Sequence, residues 1–190
     1  MKLGIYGGSF DPVHLGHLLV ALAAIEELGL DKLFFIPAAQ SPFKPESKPA
    51  PAAARLQLLR LALAGQTNCE IDEQEIRRGG VSYTVDTLRD YAKKFLGAEL
   101  FYLIGADNVA KLNEWREPNE LAKLVEFVAI PRPGEAPANF PQPFHGRSLK
   151  GFPLAISSQE IRGRVKAGLP IEPLVPPTVA EAIRNNRLYL

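Results

Sequence analysis

The sequence predicts an α/β fold, a mostly parallel sheet with helices on both faces. Three observations carry this expectation. Short apolar runs that stop at Gly or Pro alternate with longer helical stripes, the pattern of parallel strands joined by crossover helices. The first run, Met1–Tyr6, ends at Gly7-Gly8 and leads straight into a helix, so the chain opens as strand, turn, helix. The length of 190 residues, with 46% hydrophobic and 23% charged, suits one domain that buries its core without disulfides or metals. A single domain over 1–190 is expected, with a helical C-terminal part from about 155 to 190.

The elements follow in order. From Leu15 the apolar residues Leu15, Leu18, Leu19, Leu22 and Ile25 form a helical stripe that Gly29 stops. Lys32–Ile36 reads as the second strand, closed by Pro37. Residues 38–51 are proline-rich without periodicity and read as a long loop. Ala52–Ala64 reads as a helix, Cys69–Ile71 as a weak strand and Arg77–Gly80 as a turn whose two arginines are surface charge. Thr84–Leu96 places Val85, Leu88, Tyr91, Ala92 and Phe95 on one helical face. Glu99–Ile104 is a clear strand ending at Gly105, and Val109–Asn113 and Asn119–Leu124 are short helical pieces around Trp115. Glu126–Ile130 is a strand stopped by Pro131. Residues 131–153 are again proline-rich and show little pattern, and Leu154–Ile156 reads as a short last strand. Ser158–Ala167 is a helix with Ser157 as N-cap, Glu160 completing a capping box and Gly168 as stop. Thr178–Asn186 closes the chain with Val179, Ala182 and Ile183 facing inward.

Composition narrows the function classes. Lys+Arg number 22 against 21 Asp+Glu, a net charge of +1, without the basic excess of a general nucleic-acid binder. No apolar run approaches the roughly 20 residues of a membrane span, so no membrane partner is expected. The single cysteine, Cys69, and the lack of a signal-peptide pattern lead to an expectation of a reducing cytoplasm.

Parallel sheets place ligands beyond the carboxyl ends of their strands. There the sequence from Gly4 to His17 reads GIYGGSFDPVHLGH. Gly7-Gly8-Ser9 permits a sharp turn and close backbone approach, and the N–H groups of such a turn can cradle phosphate oxygens. His14 and His17 are one helical turn apart, on one face of an electropositive helix N-terminus that favours anions. Gly16 leaves open space between them. Neutral or protonated, each imidazole can donate a hydrogen bond to a phosphate. Neither G-x-G-x-x-G nor the P-loop signature is present. His145 is the only other histidine and no Cys lies near the pair, which leaves little for a metal site, and none is assigned. Two ordinary first-turn histidines are the bland alternative.

GSFDPVHLGH resembles the H-x-G-H signature of the α/β nucleotidyltransferases. Further along, Ser82-Tyr83-Thr84-Val85-Asp86-Thr87-Leu88 is similar to the SYTxDTL segment of the bacterial nicotinate-nucleotide adenylyltransferase family. Gly105-Ala106-Asp107 with Trp115 resembles its GxD…W segment, and Ile156-Ser157-Ser158 with Ile161-Arg162 its ISSTxIR motif. The tail from Val175-Pro176 to Leu188-Tyr189 is also similar, so the likeness runs from residue 2 to 189. Phe43 stands where that family often has His, Gln159 where it has Thr, and Ala155 where an acidic residue is frequent.

This resemblance implies a Rossmann-like nucleotidyltransferase fold and adenylyl transfer from ATP to nicotinate mononucleotide, giving deamido-NAD and pyrophosphate. It implies that His14, His17 and Arg162 are catalytic. It places ATP on Gly7, Gly8, Ser9, Phe10, Gly105, Asp107, Ile156, Ser157 and Ser158, and the mononucleotide on Lys44, Ser82, Tyr83, Thr84 and Trp115. Mg²⁺ is expected to ride on the ATP phosphates, since no carboxylate cluster offers a dedicated site. The residues agree with these roles. SYT precedes a helix whose free N–H groups can meet a carboxylate, and a lone aromatic such as Trp115 in a polar setting can stack on a pyridine ring. Asp107 can cap a helix or accept from a ribose hydroxyl, and Ser157 competes between capping and phosphate. Arg55 is a weaker candidate near the start of its helix. Other readings stay open at this point: nicotinamide mononucleotide or phosphopantetheine as acceptor, or a non-catalytic nucleotide-binding module. The resemblance implies a homo-oligomer, although no interface signature is legible.

Overall fold

The computed structural model describes residues 1–42, 49–131, 133–134, 137–152 and 154–190. Six strands form one parallel sheet: β1 (Lys2–Gly8), β2 (Lys32–Pro37), β3 (Cys69–Ile71), β4 (Glu99–Gly105), β5 (Glu126–Ile130) and β6 (Gly146–Ser148). Their spatial order is β3-β2-β1-β4-β5-β6. β1 and β4 are therefore the central pair, and the chain winds outward from them in opposite directions. That reversal opens a crevice beyond the carboxyl ends of β1 and β4, where doubly wound sheets bind ligands.

Helices cover both faces. On one side lie α1 (Leu15–Leu28), α2 (Ala52–Ala62), α7 (Ser158–Lys166) and α8 (Pro177–Asn185). They bury Ala24, Leu58, Leu59, Ile161, Val179 and Ile183 against Tyr6, Phe35, Phe101 and Leu103 of the sheet. The other side holds α4 (Thr84–Lys94), α5 (Ala106–Val109) and α6 (Pro118–Leu124), with Val85, Leu88, Tyr91, Val109 and Leu121 packed on Ile5, Tyr102 and Phe127. The central strands read as continuous apolar runs because both of their faces are covered. Gly29 ends α1 in the left-handed conformation expected of it (φ 64°). Arg89 of α4 pairs with Glu117 and Glu120 and so ties α4 to α6.

Several expectations need correction. Leu154–Ile156 is not a strand: Leu154 and Ala155 are exposed, and the last strand is Gly146–Ser148, inside the segment that showed no pattern. Its identity comes from backbone pairing, with Phe127 opposite Gly146 and Ala129 opposite Ser148, which three edge residues do not announce in their side chains. The turn expected at Arg77–Gly80 is the end of a short helix, α3 (Gln74–Arg78), stopped by Gly79. Around Trp115 the helical pieces are Ala106–Val109, a 3-10 turn at Leu112–Glu114, and Pro118–Leu124.

The glycines of the first motif also act differently from expectation. Gly7 and Gly8 do not turn; they are the last residues of β1. A Cβ on Gly7 would lie 2.5 Å from the Tyr102 hydroxyl. The left-handed residue of the loop is instead Phe10, at φ 47°. Gly7→Ala should therefore destabilise by about 1–3 kcal/mol through overpacking, and Tyr102→Phe should recover most of that loss. Urea midpoints of the two single variants and the double variant check this; no recovery in the double variant would show that the clash is elsewhere.

Candidate active site

The loop after β1 carries the site, and three distant elements hold it. From α2, Arg55, only 2% exposed, donates through Nη1 to the Ser9 carbonyl at 2.8 Å and through Nε to the Ala50 carbonyl at 3.1 Å. From α7, the Ser158 hydroxyl donates to the Pro12 carbonyl at 2.9 Å, and Arg162 Nη1 donates to the Asp11 carbonyl at 2.7 Å. From the C-terminal tail, the Tyr189 hydroxyl donates to Asp11 Oδ1 at 2.8 Å. Burial lowers the pKa of the Arg55 guanidinium, while the nearby Asp11 carboxylate works in the opposite direction. These donors satisfy carbonyls that a tight loop would otherwise leave unpaired.

His14 is the N-cap of α1 and His17 lies one turn later, so the rings stack with centroids 3.7 Å apart. The His14 backbone N–H donates to His17 Nδ1 at 3.2 Å. An Nδ1 that accepts must be unprotonated, so the neutral His17 ring carries its proton on Nε2 and can donate from there. Edge contacts with Phe10 (5.0 Å) and Tyr6 (5.9 Å) fix the ring further. His14 Nδ1 is buried with no hydrogen-bond partner among the described residues. Gly16 makes room for that ring: a Cβ there would lie 3.0 Å from His14 Nδ1. Burial pushes the His14 imidazole down to about 4, and burial together with the neighbouring His14 holds His17 well below its ordinary value. Both shifts favour neutral rings at pH 7, and a neutral imidazole still carries one N–H donor.

At the neighbouring strand end, Gly105 closes β4 and is itself the N-cap of α5. Asp107 is therefore not the cap; it sits exposed in the first turn, accepting from Asn108 Nδ2 at 3.3 Å. Phe10 is 1% exposed and its ring belongs to the core, so only its backbone is at the site. Ile156 is half-buried against that core. Ser157 caps α7 by accepting from the Glu160 N–H at 3.1 Å, the expected half of the capping box.

A second group lies beside the first. Pro42, Tyr83, Thr84, Val85, Trp115 and Arg116 line a cleft open to solvent. Trp115 packs edge-on against Tyr102 and Phe127, each 6.2 Å away, so the core holds one edge while the ring lines the cleft. The Arg116 guanidinium lies 4.7 Å over the Tyr83 ring. Tyr83 is the N-cap residue of α4 and makes no side-chain cap bond, which leaves the first N–H groups of α4 as donors. Ser82 is buried and its hydroxyl accepts from the Ala39 N–H at 3.0 Å, so it braces the segment before α4. Tyr102 links the two groups, packed against Gly7 and 3.4 Å from Thr84 Oγ1. Lys44 and Phe43 lie outside the described residues.

Sequence reasoning passed over Asp11, Tyr102 and Tyr189, and ranked Arg55 low. Asp11 was inside the quoted motif, and an acidic residue in an otherwise apolar strand-end loop was the available signal. Nothing local marks Tyr102 or Tyr189.

The histidines also set a pH dependence. The unfolded chain takes up protons on them near pH 6.5, whereas folded His14 does so only near 4. Their stability contribution is thus complete above pH 6.5 and is lost as pH falls toward 4. Going from pH 7 to 5 should cost about 2 kcal/mol from His14, with a further loss in the same direction from His17, and His14→Gln should flatten that slope. Equal pH slopes for both proteins in urea titrations would contradict the burial assignment.

Residues 5–164 match the cytidylyltransferase-like family. A probable nicotinate-nucleotide adenylyltransferase of Opitutus terrae is 42% identical, over 100% of this chain and 98% of the relative. One from Rhodopirellula baltica is 39% identical, over 98% of this chain and 92% of the relative. Among solved structures, the nicotinic acid mononucleotide adenylyltransferase of Plasmodium falciparum complexed with NaAD has a similar fold. Its TM-score is 0.79 at 18% identity, covering 99% of this chain and 97% of the other. The strand-end loop with its histidine pair, the doubly wound sheet and full-length relatives at this identity place the chain in the cytidylyltransferase-like family, among the nicotinate-nucleotide adenylyltransferases.

Proposed function

We propose that the chain transfers the adenylyl group of ATP to nicotinate mononucleotide, giving deamido-NAD and pyrophosphate in NAD biosynthesis. The observation that carries this reading is the pair of neutral, stacked imidazoles at the β1 end, set beside an aromatic cleft headed by a helix N-terminus. The names of the curated relatives support the same reaction. The Plasmodium falciparum protein of similar fold, solved once with NaAD and once with APC, is consistent with that reading.

The chemistry follows from the groups present. The mononucleotide phosphate is largely dianionic at pH 7 and needs no general base. One of its oxygens attacks the α-phosphorus, the bond from that phosphorus to the bridging oxygen breaks, and pyrophosphate leaves with the electron pair. Catalysis then lies in positioning two anions and stabilising the charge that develops between them. His14 and His17 meet the ATP phosphates, and the Nε2–H of His17 meets the transition state. Arg162, with one nitrogen spent on the Asp11 carbonyl, offers its remaining N–H groups to the leaving pyrophosphate. The backbone at Gly7, Gly8, Ser9, Phe10 and Ile156 lets the nucleotide approach, and Asp107 is placed for its ribose. Ser158 contributes through its N–H at the start of α7, since its hydroxyl proton is given to the Pro12 carbonyl, while Ser157, whose hydroxyl accepts from the Glu160 N–H, keeps its O–H to donate to a phosphate.

Trp115 stacks on the pyridine ring, and the N–H groups opening α4 at Tyr83 and Thr84 receive its carboxylate. A carboxylate only accepts hydrogen bonds, so N–H donors favour the acid over the amide. Ser82 supports this wall, and Lys44 meets phosphate. Mg²⁺ arrives on the ATP phosphates, as a hard cation that keeps few protein ligands when phosphate oxygens are available. We take residues 1–190 as one working unit, a cytoplasmic enzyme that acts as a homo-oligomer without a nucleic-acid or membrane partner. Among the described residues no helix is long and apolar enough to cross a membrane.

Pyrophosphate release from ATP with nicotinate mononucleotide, nicotinamide mononucleotide and phosphopantetheine, compared side by side, tests the assignment. Release should be fastest by far with nicotinate mononucleotide. A preference for either other acceptor would replace the substrate, and no release with any of them would favour a nucleotide-binding module. His17→Ala should lower kcat by about 100-fold or more at unchanged fold; near-normal turnover would remove it from the mechanism. Trp115→Ala should raise KM for the mononucleotide about tenfold with a smaller change in kcat, and an unchanged KM would sink the stacking assignment.

A further inference from the structure

The C-terminal tail reaches the site, and the reaction as proposed makes no use of it. Past α8 the chain passes through Arg187 at φ 50° and Tyr189 at φ 67°, both left-handed and neither a glycine. Such backbone persists only where the surroundings enforce it. Here Leu188 donates to the Ile183 carbonyl at 3.0 Å, Leu188 and Tyr189 pack on the core, and the Tyr189 hydroxyl donates to Asp11 Oδ1 at 2.8 Å.

Asp11 is 6% exposed, so its carboxylate depends on protein donors. Oδ1 accepts from the Tyr189 hydroxyl and from the Ala50 N–H at 3.2 Å. Oδ2 faces Arg162 Nη1 at 3.8 Å, beyond hydrogen-bond length, while the same Nη1 is held by the Asp11 carbonyl at 2.7 Å. Carboxylate and guanidinium are therefore close but not locked together. Without the Tyr189 hydroxyl, the carboxylate can rotate about Cβ–Cγ and close on Arg162 in a two-pronged pair. That pair would take up the N–H groups meant for the phosphates.

We propose that Tyr189 is a positioning residue for adenylyl transfer: its hydroxyl, acting through the Asp11 carboxylate, keeps Arg162 turned toward the phosphates. The proposal rests on the adenylyl-transfer reading above and adds to it a residue that touches no substrate.

The test compares Tyr189→Phe in the full chain with and without Arg162→Lys, a background that keeps the charge but loses the planar fork. Pyrophosphate release with ATP and nicotinate mononucleotide is measured alongside thermal midpoints. The expected result is a roughly tenfold lower kcat for Tyr189→Phe, with KM for the mononucleotide unchanged and a midpoint within a few degrees. In the Arg162→Lys background the same change should cost less than twofold. The proposal is overturned if Tyr189→Phe keeps wild-type kcat, or if it loses the same factor in both backgrounds, as a merely structural tail would. Wild-type protein that releases no pyrophosphate would bring down the reading beneath it, a result distinct from either of these.

Discussion

Carbonyl oxygens at the end of a parallel strand have no ladder partners, and the loop after β1 presents several in succession. In this chain they are met by cationic and hydroxyl donors from far along the sequence: Arg55 on Ser9, Arg162 on Asp11 and Ser158 on Pro12. The rest of the site depends on that arrangement. It fixes where α1 begins, and so where His14 and His17 stack. It carries Arg162 to the β1 end as part of the same set of bonds. It also compensates Phe10, whose left-handed backbone would otherwise relax.

A consequence is that the electrostatics are prepared before any ligand arrives. Burial favours the neutral form of the imidazoles, and the cationic groups are anchored by their own bonds to the loop. On the proposed mechanism the phosphates then meet donors already aimed, the condition under which fixed dipoles lower a barrier most. The neighbouring cleft is built the same way. Trp115 is held by its edge against Tyr102 and Phe127. Tyr102 in turn sits against Gly7, so the two halves of the site share one β4 side chain.

Much of this was legible in the sequence. The alternation of apolar runs and helical stripes pointed to a mostly parallel sheet covered on both faces, because central parallel strands must be apolar on both sides, while the strand order was not legible. The spacing of His14 and His17 placed them together, because helical neighbours three apart share a face. What was not legible depends on long-range contacts. Gly146–Ser148 is a strand only because Phe127 to Ala129 offers it a free edge. Leu154–Ile156 looked apolar enough for a strand, but Leu154 and Ala155 are exposed and pair with no strand. Gly7 was read as a turn former, and its reason is instead the Tyr102 hydroxyl across the sheet face. Ser82 and Ser157 were read toward ligand, and the structure adds that their hydroxyls also accept from the Ala39 and Glu160 N–H groups. Tyr189 meets Asp11 across 178 residues of chain, a pairing that no local pattern encodes.

On the proposed mechanism the histidines act as neutral donors held by the loop, with the His17 proton on Nε2. Long-range ¹H–¹⁵N spectra of the histidine side chains at pH 7 test this most directly. His17 should show an unprotonated Nδ1 and a protonated Nε2, and His14 should also be neutral. An imidazolium signature for either ring, or a proton on His17 Nδ1, would contradict it.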